Sequence, residues 1–112
     1  MDILFKTHKL MKQCNSQDLL IRAYGQRRAK LMRRRLDELS AANSLEDIRS
    51  LPQARCHELK GNQLGNLSVD LEHPYRLIFC PANEPVPKKP DGGLDWAGVT
   101  AIEIIGVEDT HG

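Results

Sequence analysis

The sequence predicts a single α+β domain, in which amino-terminal helices are followed by a meandering antiparallel sheet. Apolar residues recur at three- and four-residue steps in the first half, which is typical of helices. Short apolar or alternating runs follow Pro52, which is typical of strands. The 112 residues allow one modest core. They contain no stretch of about 18 apolar residues that would indicate a membrane span.

The first half is predicted to hold a strand and then helices. Residues 2–6 resemble a short strand, and residues 8–20 have a weak helical pattern. The helical pattern is strongest over residues 23–41, where one apolar stripe is expected to be buried: Ala29, Met32, Leu36 and Leu39. A further short helix is predicted to begin after Ser44, with acids in its first turn, and to end before Pro52.

The second half is predicted to consist of strands, turns and one long loop. The strands are expected at residues 55–59, 66–72, 75–80 and 99–107. Residues 81–98 contain four prolines and three glycines, which predicts a long and mobile loop. Trp96 is expected to anchor this loop, and stacking of Trp96 on a nucleic acid base is the alternative.

Charge is distributed unevenly along the chain. Residues 1–40 carry ten Lys and Arg against four acids, a net charge of +6, whereas residues 41–112 carry six against eleven, a net charge of −5. Such a basic segment indicates either a surface for nucleic acid or an acidic partner, or a solvated helix face. The candidate RNA- or ribosome-binding residues fall within it: Arg27, Lys30, Arg33, Arg34 and Arg35.

Three cysteines, Cys14, Cys56 and Cys80, are odd in number and widely spaced. They match neither a disulfide framework nor a zinc-binding pattern. Reduced thiols and a cytoplasmic location are therefore expected, because cytosolic proteins keep their thiols reduced. The sequence predicts no metal site and no cofactor.

Ionisable groups lie beside the apolar strands in three short segments. The first is Cys56-His57-Glu58-Leu59-Lys60-Gly61, the second is Tyr75-Arg76-Leu77-Ile78-Phe79, and the third is Glu108-Asp109-Thr110-His111. Histidine, lysine, arginine and aspartate are groups that can together cleave a phosphodiester, because imidazole titrates close to neutral pH and the cations attract phosphate. These segments therefore carry the candidate catalytic residues.

With Ser44-Leu45-Glu46-Asp47-Ile48, these segments resemble the HigB-type killer proteins of the RelE/ParE toxin family, over residues 3–111. The resemblance implies a RelE-like fold, with helices packed on a twisted antiparallel sheet. It also implies the toxin of a type II toxin–antitoxin pair, one that cleaves messenger RNA on the ribosome and so inhibits translation. The implied partner is a helix-turn-helix, HigA-like antitoxin, and operator DNA is contacted only through that antitoxin. Two features depart from the family pattern: Thr110 replaces its usual tyrosine, and the loop at 81–98 is longer.

Cleavage of RNA by its own 2′-hydroxyl requires a base, an acid and cations. His57 and His111 are the candidate acid and base. The alternative for His57 is a structural histidine at a strand end, and the alternative for His111 is a residue of a disordered tail. Lys60 and Arg76 are the candidate phosphate-binding cations. An alternative stays open for each cation. Lys60 is then a solvated turn residue, and Arg76 forms a surface ion pair with Glu58 or Glu72. Asp109 is expected to orient a histidine or a backbone amide, or else to be an exposed carboxylate.

Two other functions remain open at this point. A ParE-like relative blocks a protein target without catalysis, and a degenerate member acts mainly by binding its antitoxin. The presence of His57, Arg76, Asp109 and His111 together favours the nuclease, since a binding protein does not need this set. Thr110 is the one feature that favours the degenerate member.

Overall fold

The computed structural model describes residues 1–109, which form four α-helices and a five-stranded sheet in an α+β arrangement. The strands are β1 Asp2–Phe5, β2 His57–Glu58, β3 Leu67–Asp70, β4 Tyr75–Pro81 and β5 Ala101–Asp109. The helices are α1 His8–Cys14, α2 Gln17–Tyr24, α3 Gln26–Ala41 and α4 Leu45–Arg49. Short 3-10 turns are formed by Gly61–Gln63 and Trp96–Gly98. The predicted fold class is confirmed.

The helical half is broken more often than the sequence pattern predicts. The weak pattern over residues 8–20 is divided because Ser16 caps α2, its hydroxyl accepting the N–H of Leu19. The predicted helix over 23–41 is interrupted at Gly25, which ends α2 and precedes α3 with a φ of 81°. Glycine adopts this left-handed region without steric penalty, so the chain turns there.

The sheet has the strand order β1-β5-β4-β3-β2. The pairs among β2, β3, β4 and β5 are antiparallel, as the sequence predicts. The first strand differs, because β1 pairs with β5 in parallel, with Asp2 opposite Ala101 and Phe5 opposite Ile104. The sheet is therefore mixed, and the expectation of a purely antiparallel sheet is corrected for this one pair.

One face of the sheet packs against the helices. The predicted stripe of α3 is buried in the main core, together with residues of three strands: Leu67, Val69, Leu77, Phe79, Ile102 and Ile104. Because successive strand side chains point to opposite faces, residues 68 and 70 of β3 and residue 76 of β4 project from the other side. We call this second side the site face.

The loop at 81–98 is anchored near its carboxyl end. The side chain of Trp96 is only 6% exposed, and its Nε1 donates a hydrogen bond to Oε2 of Glu58 at 3.0 Å. The guanidinium of Arg49 lies 4.0 Å from the centre of the tryptophan ring. Trp96 is thus a loop anchor, and its burial leaves no ring face for stacking on a base. None of the helices within residues 1–109 is long and apolar enough to cross a membrane.

Candidate functional site

The sheet places one residue from each of the three candidate segments on the site face, namely His57, Arg76 and Glu108. His57 of β2 is in register with Ser68 of β3, and Asp70 of β3 is in register with Arg76 of β4. Arg76 is in turn in register with Glu108 of β5. Four strands therefore contribute one polar row, although its members are up to 51 residues apart, from position 57 to position 108.

Arg76 is the centre of this row. Its Nη1 lies 2.7 Å from Nε2 of His57 and 3.3 Å from the hydroxyl oxygen of Ser68. Its Nε lies 3.4 Å from Oδ1 of Asp70, in an ion pair whose two side chains are each 21% exposed. The guanidinium is therefore held on two sides, by an imidazole and by a carboxylate, while part of it remains accessible to solvent.

The imidazole of His57 has two neighbours. Nη1 of Arg76 lies 2.7 Å from its Nε2 and 3.5 Å from its Nδ1, so the guanidinium lies over the ring rather than in line with one ring nitrogen. Nδ1 also lies 3.1 Å from the backbone carbonyl oxygen of Arg55. Arg55 has a left-handed backbone, with a φ of 45°, at the turn before β2. The imidazole is exposed, and it is the type of side chain that can accept or donate a proton.

Arg76 pairs with a different carboxylate from the two that the sequence offered. Glu72 is bound by Nε of Arg28, at 3.0 and 3.1 Å, and Arg28 also lies over the ring of Tyr75. Glu58 accepts the indole N–H of Trp96. The alternative of a surface pair with Glu58 or Glu72 is therefore wrong, because both carboxylates are engaged elsewhere and Asp70 lies opposite Arg76.

Lys60 lies at the turn that follows β2. It immediately precedes the 3-10 turn Gly61–Gln63 and is exposed. Within residues 1–109, the structure records no hydrogen bond or ion pair of the Lys60 ammonium. The turn itself is tied to β5, because Nε2 of Gln63 donates to both oxygens of Glu108 at 2.8 and 3.1 Å. The amide of Asn66 donates to Oε1 of Gln63 at 2.7 Å.

Asp109 lies on the other face of the sheet. Asp109 is in register with Tyr75, which packs against the core on the face of the sheet that carries the helices. By strand alternation, Asp109 is on the same side as Tyr75, whereas Glu108 is on the side of Arg76. His57 and Asp109 are therefore not brought together on one face. The remaining candidate, His111, and its neighbour Thr110 lie outside the described residues.

Arg35 does not belong to an exposed basic surface. It is 5% exposed, and its Nε donates to the backbone carbonyl of Asp70 at 2.7 Å. Its Nη2 donates to the carbonyl of Gln53 at 3.0 Å, and its Nη1 donates to Glu38 at 3.0 Å. The prediction that Arg35 contacts RNA is wrong, because all three of its nitrogens bind groups of the protein itself.

The rest of the basic segment is more accessible. Arg33 is half-buried, with Nη1 donating to the carbonyl of Cys14 at 2.7 Å and Nε bound to Asp37. Three residues at helical spacing on α3 are exposed: Arg27, Lys30 and Arg34. Since α3 packs on the face of the sheet opposite to His57, these charges belong to a separate surface. We call Arg27, Lys30 and Arg34 the α3 basic face.

The cysteines do not supply a nucleophile to the site. Burial raises the pKa of the Cys56 thiol from 9.0 to about 12, and that of Cys14 to about 11. Both thiols are therefore protonated at neutral pH, whereas the thiolate is the reactive form. Cys56 also alternates with His57 along the chain, as expected for neighbours in an extended segment. No group of three or more potential metal-ligating side chains occurs in the described residues.

An imidazole beside an arginine that has two further polar neighbours is an arrangement that suits an anionic phosphodiester. The class of protein is given by a family model for the HigB-like toxins, described as the RelE-like toxin of type II toxin–antitoxin system HigB, which matches residues 4–88. The chain belongs to the HigB-like toxin family.

The extent of the match matters for the site. It includes His57, Lys60 and Arg76, and it ends before β5, which carries Glu108 and Asp109. No curated protein matches the chain.

Proposed function

We propose that this chain is the endoribonuclease toxin of its pair, cleaving messenger RNA on the ribosome and inhibiting translation in the cytoplasm. The observation that supports it most is the 2.7 Å contact between Arg76 and His57. The proposed base and the proposed phosphate-binding cation are in contact there, which supports a joint role in the reaction. A protein that only binds a target needs neither of these groups in this arrangement.

In the proposed reaction, Nε2 of His57 accepts the proton of a 2′-hydroxyl as that oxygen attacks the adjacent phosphorus. Arg76 and Lys60 stabilise the charge that builds on the phosphate oxygens. The bond from phosphorus to the 5′-oxygen then breaks, and His111 donates a proton to the leaving oxygen. The products are a 2′,3′-cyclic phosphate and a 5′-hydroxyl end. Because the nucleophile belongs to the RNA, the reaction proposed here uses no metal or other cofactor.

Arg76 must move from His57 in the proposed reaction, because its Nη1 lies 2.7 Å from the Nε2 that would accept the proton. A phosphate oxygen is a stronger acceptor for a guanidinium than an imidazole is, because both partners are then charged. Binding of RNA would therefore draw Arg76 away from His57. The same event would supply the cation and give the 2′-hydroxyl access to the base.

The family implies an antitoxin partner. We propose that it is a HigA-like helix-turn-helix protein and that operator DNA is bound only through it. The α3 basic face, with Arg27, Lys30 and Arg34 exposed, offers a surface for ribosomal RNA or for an acidic segment of that antitoxin. Asp109 is proposed to orient a histidine or a backbone amide.

The test is induction of this chain alone in cells, followed by mapping of RNA 5′ ends. We expect growth arrest and new 5′-hydroxyl ends within translated messages, both absent for Arg76→Ala at equal soluble expression. Growth arrest without new RNA ends would indicate a ParE-like toxin that binds a protein target. Normal growth at high soluble expression would indicate a degenerate member.

A further inference from the structure

Asp70 carries a carboxylate with an unusual environment. Its Oδ1 is buried and accepts no hydrogen bond, although Nε of Arg76 lies 3.4 Å away. This separation is within ion-pair range, but the geometry does not satisfy a hydrogen bond. Its Oδ2 lies 3.6 Å from Nε of Arg55. A buried carboxylate oxygen without a hydrogen bond is uncommon, because it loses its hydration without replacement.

The backbone of Asp70 is fixed independently of this carboxylate. Its N–H donates to the carbonyl of Ala54 at 2.8 Å, and its own carbonyl accepts from Nε of the buried Arg35 at 2.7 Å. The point from which the carboxylate extends towards Arg76 is therefore fixed. Neither of the two backbone bonds would be lost if the side chain were changed.

The contacts of Arg76 are divided between two groups. Its Nη1 lies 2.7 Å from Nε2 of His57, and its Nε lies 3.4 Å from Oδ1 of Asp70. If Nη1 turned from His57 to a phosphate oxygen, Nε could align with Oδ1. The oxygen that accepts no hydrogen bond in the free protein would then be satisfied in the state that binds RNA.

We propose that Asp70 is a positioning residue, which fixes Arg76 in the orientation that holds the scissile phosphate and releases His57. This inference rests on the proposed nuclease function. It assigns to Asp70 a role through Arg76, with no contact to RNA. The carboxylate would repel phosphate on its own, but two arginines share it, and the cluster of Arg55, Arg76 and Asp70 keeps a net positive charge.

The experiment compares Asp70→Asn with the wild-type chain in single-turnover cleavage of ribosome-bound messenger. Asparagine keeps the shape and the backbone bonds but removes the charge. We expect a fall in the cleavage rate of roughly tenfold, as when a reacting group is slightly misplaced, with substrate affinity changed by less than about twofold. The matched control is Asp18→Asn, an exposed aspartate at the first turn of α2, which should cleave at the wild-type rate.

A double-mutant cycle separates positioning from a structural role. If Asp70 acts through Arg76, Asp70→Asn should have no further effect in the Arg76→Ala background. In parallel, the NMR signal of the Arg76 Nε–H should shift in free Asp70→Asn protein, a readout that does not depend on activity.

Each outcome decides the matter. One result would overturn this inference and leave the proposed function standing. In that result the wild type and Asp70→Asn cleave at the same rate, whereas Arg76→Ala does not cleave. Equal losses from Asp70→Asn in both backgrounds would also overturn it, because Asp70 would then act without Arg76. If the wild type produces no cleavage, the proposed function fails and this inference fails with it.

Discussion

The guanidinium of Arg76 lies against the imidazole of His57. Nη1 of Arg76 is 2.7 Å from Nε2 and 3.5 Å from Nδ1 of His57, so the proposed phosphate-binding cation and the proposed base are in direct contact. A bound phosphate would compete with this contact for the guanidinium. This contact and the others around it determine how substitutions in the site should behave.

Two replacements of Arg76 should distinguish the effect of its charge on cleavage from the effect of its planar shape. We expect Arg76→Ala to lower cleavage by roughly 10²–10³-fold, as for loss of one charge-stabilising donor. Arg76→Lys should retain part of the activity, because lysine keeps the charge but lacks the planar fork. The alanine variant should also be less stable by about 1–3 kcal/mol, since Asp70 loses the cation beside a buried oxygen. Single-turnover cleavage and urea unfolding measure the two effects.

The lysine variant serves as the control for stability. It keeps a cation near Asp70, so its unfolding free energy should lie closer to that of the wild type. A folded Arg76→Ala protein that cleaves ribosome-bound messenger at the wild-type rate would show that the proposed site is wrong.

Arg34 and Arg35 are neighbours with different expected effects on stability. Arg35→Ala should reduce the free energy of unfolding by about 3 kcal/mol or more, because it leaves two backbone carbonyls and Glu38 without their buried donor. Arg34→Ala should change it by no more than about 0.5 kcal/mol, as is usual for an exposed residue. Urea unfolding of both variants is the measurement. Similar values for the two would contradict the buried position of Arg35.

The α3 basic face should contribute to association rather than to chemistry. Replacing Arg27, Lys30 and Arg34 with Gln should lower the slope of log affinity against log salt by about 0.7–0.9 for each phosphate that the variant no longer neutralises. Cleavage of saturating substrate should be unchanged, because α3 packs on the face of the sheet opposite to His57. Binding to ribosomes at several salt concentrations gives the slope.

The control for this face is Arg49→Gln. The Arg49 guanidinium already binds Glu46 and lies over Trp96, so its removal should leave the slope unaltered. An unchanged slope in the triple variant would make the α3 basic face a solvated surface.

The partly buried thiol of Cys56 should make the protein less stable in alkali. Burial raises the pKa of this thiol from 9.0 to about 12, so between these values the unfolded chain loses a proton that the folded chain keeps. Stability is then fully present below pH 9 and falls as the pH rises towards 12, by at most about 1.4 kcal/mol per pH unit for one thiol. Urea unfolding at about pH 8 and about pH 10 should show a smaller loss of stability for Cys56→Ala than for the wild type. Equal losses would mean that Cys56 does not ionise differently in the two states.

Local patterns explain which parts of the fold could be predicted. The stripe of Ala29, Met32, Leu36 and Leu39 follows from helical periodicity alone, and all four are buried as expected. Arg35 is adjacent to Leu36, and nothing in the local pattern separates it from the exposed Arg34. Its burial depends on carbonyls 18 and 35 residues away, which local reasoning cannot place.

The residues of the candidate site also divide into those that local sequence could indicate and those that it could not. His57, Lys60 and Arg76 were recognisable as candidates because their residue types and spacing match a known family pattern. Asp70 and Gln63 were not, because their relation to Arg76 and to Glu108 arises from strand register and from contacts distant in sequence. The one local signal for Asp70 was its place at the end of an alternating run. That signal does not indicate a contact with Arg76 unless the partner strand and its register are known.

The parallel pairing of β1 with β5 has a consequence for synthesis of the chain. Asp2 lies opposite Ala101, so the first strand has no sheet partner until about one hundred residues have been translated. Contacts that close so large a loop form late and slow folding. While the nascent chain is being made, Ile3 and Phe5 cannot take their final positions, and completion of the sheet must follow translation of β5. The sheet is therefore incomplete on any nascent chain that ends before β5, and any activity that needs the complete sheet begins only after β5 has been translated.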